Sequence, residues 1–248
     1  MKFEILTIFP EIIENAVKAS LLGKAREAGI IEIDTIDIRD FATDKHKTVD
    51  DTPFGGGAGM VMKPEPIDMA LSQLLKTGDK NRARIMLTSA SGKKFDQKFA
   101  EKLAREEFLI IICGRYKGVD ERLKKLYPIE EVSIGDYVLS GGEVAALVIT
   151  EAVSRLKPGY MGKLEAAEDD SYSWDILGYP VYTQPQVYRD LKVPEVLVSG
   201  HHEKIRVFRR KEALRKTLLQ RPEILEKVEL NAEDEKLLDE IKQEENNF

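Results

Sequence analysis

The sequence contains a single cysteine, Cys113, so neither an internal disulfide nor a cysteine-ligated metal cluster can form. Its three histidines, His46, His201 and His202, lack metal-ligand spacing with other candidates and read as surface or capping residues. No Ser, Cys or His stands in a recognisable nucleophile setting. No apolar run approaches membrane-spanning length, and the N-terminus has no basic region followed by a long apolar stretch. Familiar phosphate motifs are missing as well. GGGAG (residues 55–59) lacks the Lys-Ser/Thr ending of a P-loop, and Met60 stands where a dinucleotide fingerprint needs glycine. Internal repeats are absent. These gaps exclude a disulfide scaffold and a helical membrane span, and they leave a cytoplasmic globular protein as the expectation.

What is present suits a substantial core. Of 248 residues, 42% are hydrophobic, enough for one large or two modest domains. Charged residues reach 33%, above the roughly 25% usual in globular domains, and the excess of Lys and Glu hints at a thermophilic source. The net charge of −6 argues at first against a nucleic-acid partner. Binding depends on where charge sits, however, and here it is polarised. Lys204, Arg206, Arg209, Arg210, Lys211, Arg215 and Lys216 are opposed locally only by Glu212, while acids gather at residues 165–170 and 233–245. The basic stretch is either a phosphate-contacting stripe or, as charge runs usually are, a solvated helix face.

The first two thirds of the chain alternate between strand and helix patterns. Residues 3–9 read as a strand ended by Pro10, residues 11–28 as a helix stopped by Gly29, and residues 30–38 as a second strand. A glycine- and proline-rich connection spans residues 40–66. A helix at 67–75, a strand at 85–88 and a helix at 96–105 follow. FLIIIC (residues 108–113) is continuously apolar, as a strand buried on both faces requires. Residues 120–126 read as a short helix, 130–133 as a short strand and 142–156 as an apolar helix. The alternation predicts an α/β domain with a largely parallel sheet over residues 1–160. An acidic, glycine-containing linker at 161–171 then leads to a small helical domain at 172–248 with no convincing strand. Within that domain, residues 206–219 place Val207, Leu214 and Leu218 on one side.

Ligands of open parallel sheets bind beyond the carboxyl ends of the strands. Three loops there are rich in small residues: TSASG (88–92), GRYKG (114–118) and IGDYVLSGG (134–142). Glycine lets a ligand approach backbone N–H and C=O groups closely. Ser140 and Glu143 stand at capping-box spacing, with Ser140 as the expected N-cap of the following helix. One such loop is ordinary turn chemistry; three on one sheet edge point to a small-molecule pocket. Cys113 reads simply as a core residue ending a buried strand.

IGDYVLSGGE (134–143) resembles the signature of bacterial tRNA (guanine-N1)-methyltransferases of the TrmD type, within the SPOUT superfamily. TIFPE (7–11), RDF (39–41), DKHKTVDDTPFGGGAGM (44–60), CGRYKGVDER (113–122), VSR (153–155), YTQP (182–185) and VPEVLVSGHH (193–202) are similar to that family too, in its order and over nearly the whole chain. The resemblance implies a SPOUT domain with a deep trefoil knot at about residues 85–142, a rare exception to chain-threading rules. It also implies a homodimer with active sites shared between subunits. By the same resemblance, S-adenosylmethionine is held in a bent shape by loops containing Leu87, Ser89, Gly114, Tyr116, Ser133, Ile134, Gly135, Asp136, Tyr137, Val138, Leu139, Gly141 and Gly142. Its adenine and ribose meet backbone at Gly114, Ile134, Tyr137, Leu139 and Gly141. Lys117, where many relatives have an acid, and Ala145, where many have proline, are departures that bear on the pocket's shape.

The implied reaction is methyl transfer to N1 of guanosine 37 in tRNA, beside the anticodon. Guanine N1 carries a proton at neutral pH, so the chemistry needs a base near N1 and positive charge near O6. The resemblance places the base at Asp170, with Asp169 as its neighbour, and the O6-stabilising cation at Arg155. Taken alone, Asp170 reads as a solvated linker residue and Arg155 as a cation compensating a helix end. Magnesium dependence is also implied, with no dedicated set of oxygen ligands evident. The 55–59 loop is open to a structural or an RNA-facing role. Two other readings stand beside the main one: a knotted methyltransferase acting on another base or a ribose hydroxyl, and a non-catalytic RNA-binding protein.

Overall fold

The computed structural model describes residues 1–77, 83–161 and 170–246. The chain divides into two compact units, Met1–Gly162 and Lys163–Phe248. The expected linker at 161–171 falls largely outside the described residues, as does Asp169.

The first unit runs β1 (Lys2–Thr7), α1 (Pro10–Ala16), α2 (Ser20–Glu27), β2 (Glu32–Asp37) and a 3-10 turn (Ile38–Phe41). It continues with β3 (Asp50–Asp51), β4 (Val61–Met62), α3 (Pro64–Thr77), β5 (Ala83–Lys94), α4 (Gln97–Leu103) and β6 (Phe108–Cys113). It ends with α5 (Arg122–Leu126), β7 (Ile129–Ser133) and α6 (Glu143–Ser154). Five strands form one sheet in the order β2-β1-β6-β5-β7, and every adjacent pair is parallel. The FLIIIC strand is central and covered on both faces. Leu109, Ile111 and Cys113 enter one core with Phe3, Ile5 and the helix residues Phe99, Ala146 and Ile149. Ile110 and Ile112 enter the other with Leu6, Ile67 and Leu71. Burial of both sets of alternate side chains explains why the run lacks the polar alternation of a one-sided strand.

The helix expected over residues 11–28 is two helices. Ile13 and Leu22, both buried, lie nine residues apart, about two and a half turns at 3.6 residues per turn. One continuous helix would aim them in opposite directions, so the chain breaks and resets its phase, with Ser20 at φ 58° after the extended Ala19. The strand expected over 85–88 is longer. Thr88 and Lys93 both pair with Val132, so the intervening residues loop out of the β5 ladder.

The second unit contains a small ribbon, β8 (Val187–Tyr188) and β9 (Leu191–Lys192), which corrects the strand-free expectation. Its two turn residues, Arg189 and Asp190, take φ of 48° and 67°. That is the geometry of a tight hairpin without the Asn-Gly signal that announces one. Helices α7 (Glu195–Val198), α8 (His202–Gln220), α9 (Pro222–Leu225) and α10 (Ala232–Asn246) complete the unit. Ile176, Ala213, Leu214, Leu237, Leu238 and Ile241 form its core, with Val207 and Leu218 packed against them.

The expected phosphate stripe on α8 is largely consumed by α10. Arg206 pairs with Glu203 and Glu233, Arg210 with Asp234, Lys211 with Glu240 and Glu244, and Arg215 with Glu212, Glu244 and Glu245. Hydrogen bonds from Arg215 and Lys211 hold the Glu244 carboxyl down to about 2. The acidic segment 233–245 and the basic segment 204–216 thus neutralise each other across a helix pair.

Candidate active site

The carboxyl ends of β5, β6 and β7 converge on one cavity of about 340 Å³, within the size range of small-molecule sites. Its walls are the looped-out part of β5, the segment after β6 and the segment between β7 and α6. These three segments touch backbone to backbone. Gly142 N–H donates to Gly114 C=O at 2.8 Å, and Arg115 and Gly141 form an isolated antiparallel bridge. A Cβ on Gly114 would come 2.6 Å from the Thr88 carbonyl oxygen, and one on Gly142 would overlap the Thr88 hydroxyl. The glycines are therefore required by close approach. Thr88 ties the seam together: its Oγ1 donates to Ile112 C=O at 3.2 Å and accepts from Gly114 N–H at 3.1 Å.

Beneath the seam lies a buried polar network. Thr7 Oγ1 donates to Glu143 Oε1 at 2.8 Å, and Arg115 Nε donates to both carboxylate oxygens at 3.2 and 3.3 Å. The Arg115 guanidinium sits 4.2 Å from the centre of the Phe9 ring. Glu143 is only 2% exposed, so this pairing satisfies a carboxylate that would otherwise be costly to bury. The network corrects the capping-box expectation. Gly142, not Ser140, is the N-cap of α6 and offers no side-chain cap, and Glu143 turns inward to Thr7 and Arg115. Arg115 stands out in the sequence only within the CGRYKGVDER motif, and nothing near it in the chain marks Thr7 or Phe9 as neighbours of its network.

Of the residues expected to hold the cofactor, Leu87, Ser89, Gly114, Tyr116, Ser133, Ile134, Gly135, Tyr137, Val138, Leu139, Gly141 and Gly142 line this one cavity. Asp136 does not; its side chain is 93% exposed and lies 3.9 Å from Lys94 Nζ. The 134–142 loop is braced locally. Ser133 Oγ donates to Gly135 C=O at 2.9 Å, and Tyr137 OH donates to Ile134 C=O at 3.3 Å. Both departures, Lys117 and Ala145, face the cavity. Lys117 N–H also donates to Met60 C=O at 3.0 Å, which ties the glycine-rich 55–59 loop to the cavity wall. Glu131 at the rim is held below the usual carboxylate range by its hydrogen bond from Lys124, so it stays ionised near neutral pH. Cys113 is fully buried behind the wall, and burial pushes its thiol well above the ordinary range.

Arg155 is the C-cap of α6 in the first unit and is partly buried; its N–H donates to Glu151 C=O at 3.0 Å. Asp170 belongs to the second unit and is exposed, and its C=O accepts from Ser173 N–H at 3.1 Å. Among the described residues, no cluster of three or more His, Cys, Asp or Glu is arranged to hold a metal ion. No described helix is long and apolar enough to cross a membrane.

A family model described as tRNA (Guanine-1)-methyltransferase TrmD matches residues 1–227. A tRNA (guanine-N(1)-)-methyltransferase of Dictyoglomus turgidum is 51% identical over 244 residues, covering 98% of each chain. One from Moorella thermoacetica is 49% identical over 245 residues, covering 99% of this chain and 98% of its own. One from Persephonella marina is 51% identical over 243 residues, covering 98% and 94%. With the glycine-walled cavity at the carboxyl ends of the sheet strands, these matches mean that the chain belongs to the TrmD family of tRNA (guanine-1)-methyltransferases.

Proposed function

We propose that the protein transfers a methyl group from S-adenosylmethionine to N1 of guanosine 37 in tRNA. Family membership over nearly the full length carries this reading. The cavity supports it on physical grounds. Backbone N–H and C=O groups of three loops, with Leu87, Ile134 and Leu139 beside them, suit the edges and faces of an adenosine. The donor supplies an electrophilic methyl carbon attached to positively charged sulfur.

On the protein side, Asp170 accepts the N1 proton and Arg155 places positive charge against O6, where the anion is delocalised. The freed N1 electron pair bonds to the methyl carbon as the carbon–sulfur bond breaks with its electrons to sulfur. The twelve cavity residues named above hold the donor, with Asp136 outside the contact set. The three-loop seam belongs to a deep trefoil knot over about residues 85–142. The chain acts in the cytoplasm as a homodimer with shared active sites, and magnesium assists. Residues 1–160 carry the donor site, and residues 172–248 serve tRNA binding across the 161–171 linker.

The test is incubation of the full chain with labelled S-adenosylmethionine, magnesium and two tRNA transcripts, one with guanosine 37 and one with that base replaced. Label confined to the first transcript as 1-methylguanosine, and lost in Asp170→Asn with donor binding retained, is the expected result. Label in both transcripts would move the target to another nucleotide. Donor binding without label in either would favour a non-catalytic RNA-binding protein.

A further inference from the structure

Among the described residues, the cavity at the carboxyl ends of the sheet strands is lined by four charged side chains: Arg115, Lys117, Glu121 and Glu131. Three of them are committed within the protein. Arg115 Nε lies 3.2 Å from the Glu143 carboxylate, and Glu121 and Glu131 lie 2.7 and 2.8 Å from Lys124 Nζ. Lys117 differs. Among the described residues, no acid pairs with its ammonium.

An unpaired lysine on a surface is unremarkable when water solvates it and its side chain turns freely. Lys117 is held more closely than that. Its N–H donates to Met60 C=O at 3.0 Å, and Gly118 N–H closes the turn around it by donating to Arg115 C=O at 2.9 Å. Tyr116, just before it, takes φ 58°, a left-handed conformation that a bulky residue keeps only where its surroundings impose it. The Lys117 stem lies along the glycine-rich 55–59 loop. A Cβ on Gly59 would come 3.1 Å from Lys117 Cε and 3.3 Å from its Cγ, and one on Gly57 would come 3.5 Å from Nζ. The missing side chains at 57 and 59 leave the space that the stem occupies. Part of the rotamer freedom that a lysine gives up on gripping an anion is therefore already gone.

S-adenosylmethionine carries one carboxylate, on the amino-acid end remote from its adenine. Backbone groups of the three loops suit the adenosine, and a positioned, unpaired ammonium in the same lining complements that carboxylate. We propose that Lys117 binds the α-carboxylate of the methyl donor and so selects it over adenosine compounds that lack this group. The assignment rests on the reading that S-adenosylmethionine occupies this cavity. It also gives the departure at position 117 a consequence, because an acid there would repel the carboxylate that lysine attracts.

The test uses the full chain and calorimetry with two ligands, S-adenosylmethionine and its decarboxylated analogue, at low and high salt. Wild type binds the donor about fivefold more tightly than the analogue at low salt, the scale of one exposed ion pair. Lys117→Met removes the ammonium and keeps a stem against Gly59. It weakens donor binding by about the same factor and leaves the analogue within about twofold of wild type. The difference between the two proteins fades near 1 M salt, where screening acts within about 3 Å. Lys117→Arg keeps the charge and most of the donor affinity. Equal losses for both ligands in Lys117→Met would overturn the proposal, because the side chain would then be shaping the cavity and not reading the carboxylate. Wild-type affinity for both ligands in that variant would overturn it too, and a loss of tRNA affinity alone, read by fluorescence anisotropy, would make Lys117 a phosphate contact. A wild-type chain that binds neither ligand would instead defeat the underlying reading of the cavity.

Discussion

Gly142→Ala isolates the physical demand of the glycine-walled cavity proposed to hold the donor. Gly142 has φ −83° and ψ −5°, a conformation any residue adopts, so alanine there meets no backbone strain. The cost is space. The new Cβ would overlap Thr88 Oγ1 and lie 2.8 Å from Gly114 N and 2.9 Å from Cys113 Cα. Two of these neighbours are backbone of the buried seam and cannot rotate away. Overpacking of this kind costs about 1–3 kcal/mol. If Thr88 turns aside, its bonds to Ile112 and Gly114 are lost as well, at about 1 kcal/mol each. The sum is about 3–5 kcal/mol, which lowers the melting temperature of the first unit by roughly 6 °C or more. Donor affinity, read by calorimetry, falls at least about tenfold, because the displaced seam is the cavity wall. Gly29→Ala is the comparison: nothing lies within 4 Å of its Cβ position, but its φ is +69°. It costs about 1–2 kcal/mol of backbone strain and leaves donor affinity unchanged. A Gly142→Ala protein that melts and binds donor like wild type would refute the close-packed seam.

Glu143→Gln keeps an acceptor for Thr7 but leaves Arg115, whose side chain is 21% exposed, without its counter-charge; urea unfolding should show a loss of about 2–4 kcal/mol. Asp234 accepts Arg210 Nε and Nη2 at 2.7 and 2.8 Å, and these bonds hold its carboxyl below the usual range. Because folding lowers this pKa, its contribution is complete above the unfolded value near ~4 and disappears as pH falls through the folded value. Asp234→Asn should therefore melt below wild type at pH 7, with the gap closing below about pH 4 in thermal scans. The buried, high-pKa thiol of Cys113 should resist a thiol reagent at pH 7 in the native chain and react promptly in denaturant; fast native reaction would show that the wall behind the cavity opens.

Much of the first unit is legible in local pattern. The continuous apolar run of β6 and the glycine-rich ends of three strands depend on near neighbours in sequence, and they suffice to place a parallel sheet and one ligand edge. The same reasoning places the small-residue loops of the cavity, because close backbone approach demands glycine wherever it occurs. What it could not place were partners from distant elements. Glu143 carries a capping-box spacing with Ser140, yet it turns to Thr7, 136 residues away in sequence, because a buried carboxylate gains more from a hydroxyl and a guanidinium than from its own helix end.

The break between α1 and α2 likewise follows from which side chains the sheet must cover, and the Arg189–Asp190 hairpin from a turn whose residues give no warning. The charge pattern shows the division most plainly. Sequence alone determined that residues 204–216 are basic and residues 233–245 acidic. Only the tertiary structure decided that α8 and α10 pack together and satisfy each other's charges. Composition fixes the charge a segment carries, but the partner that meets it is chosen by packing between elements far apart in the chain.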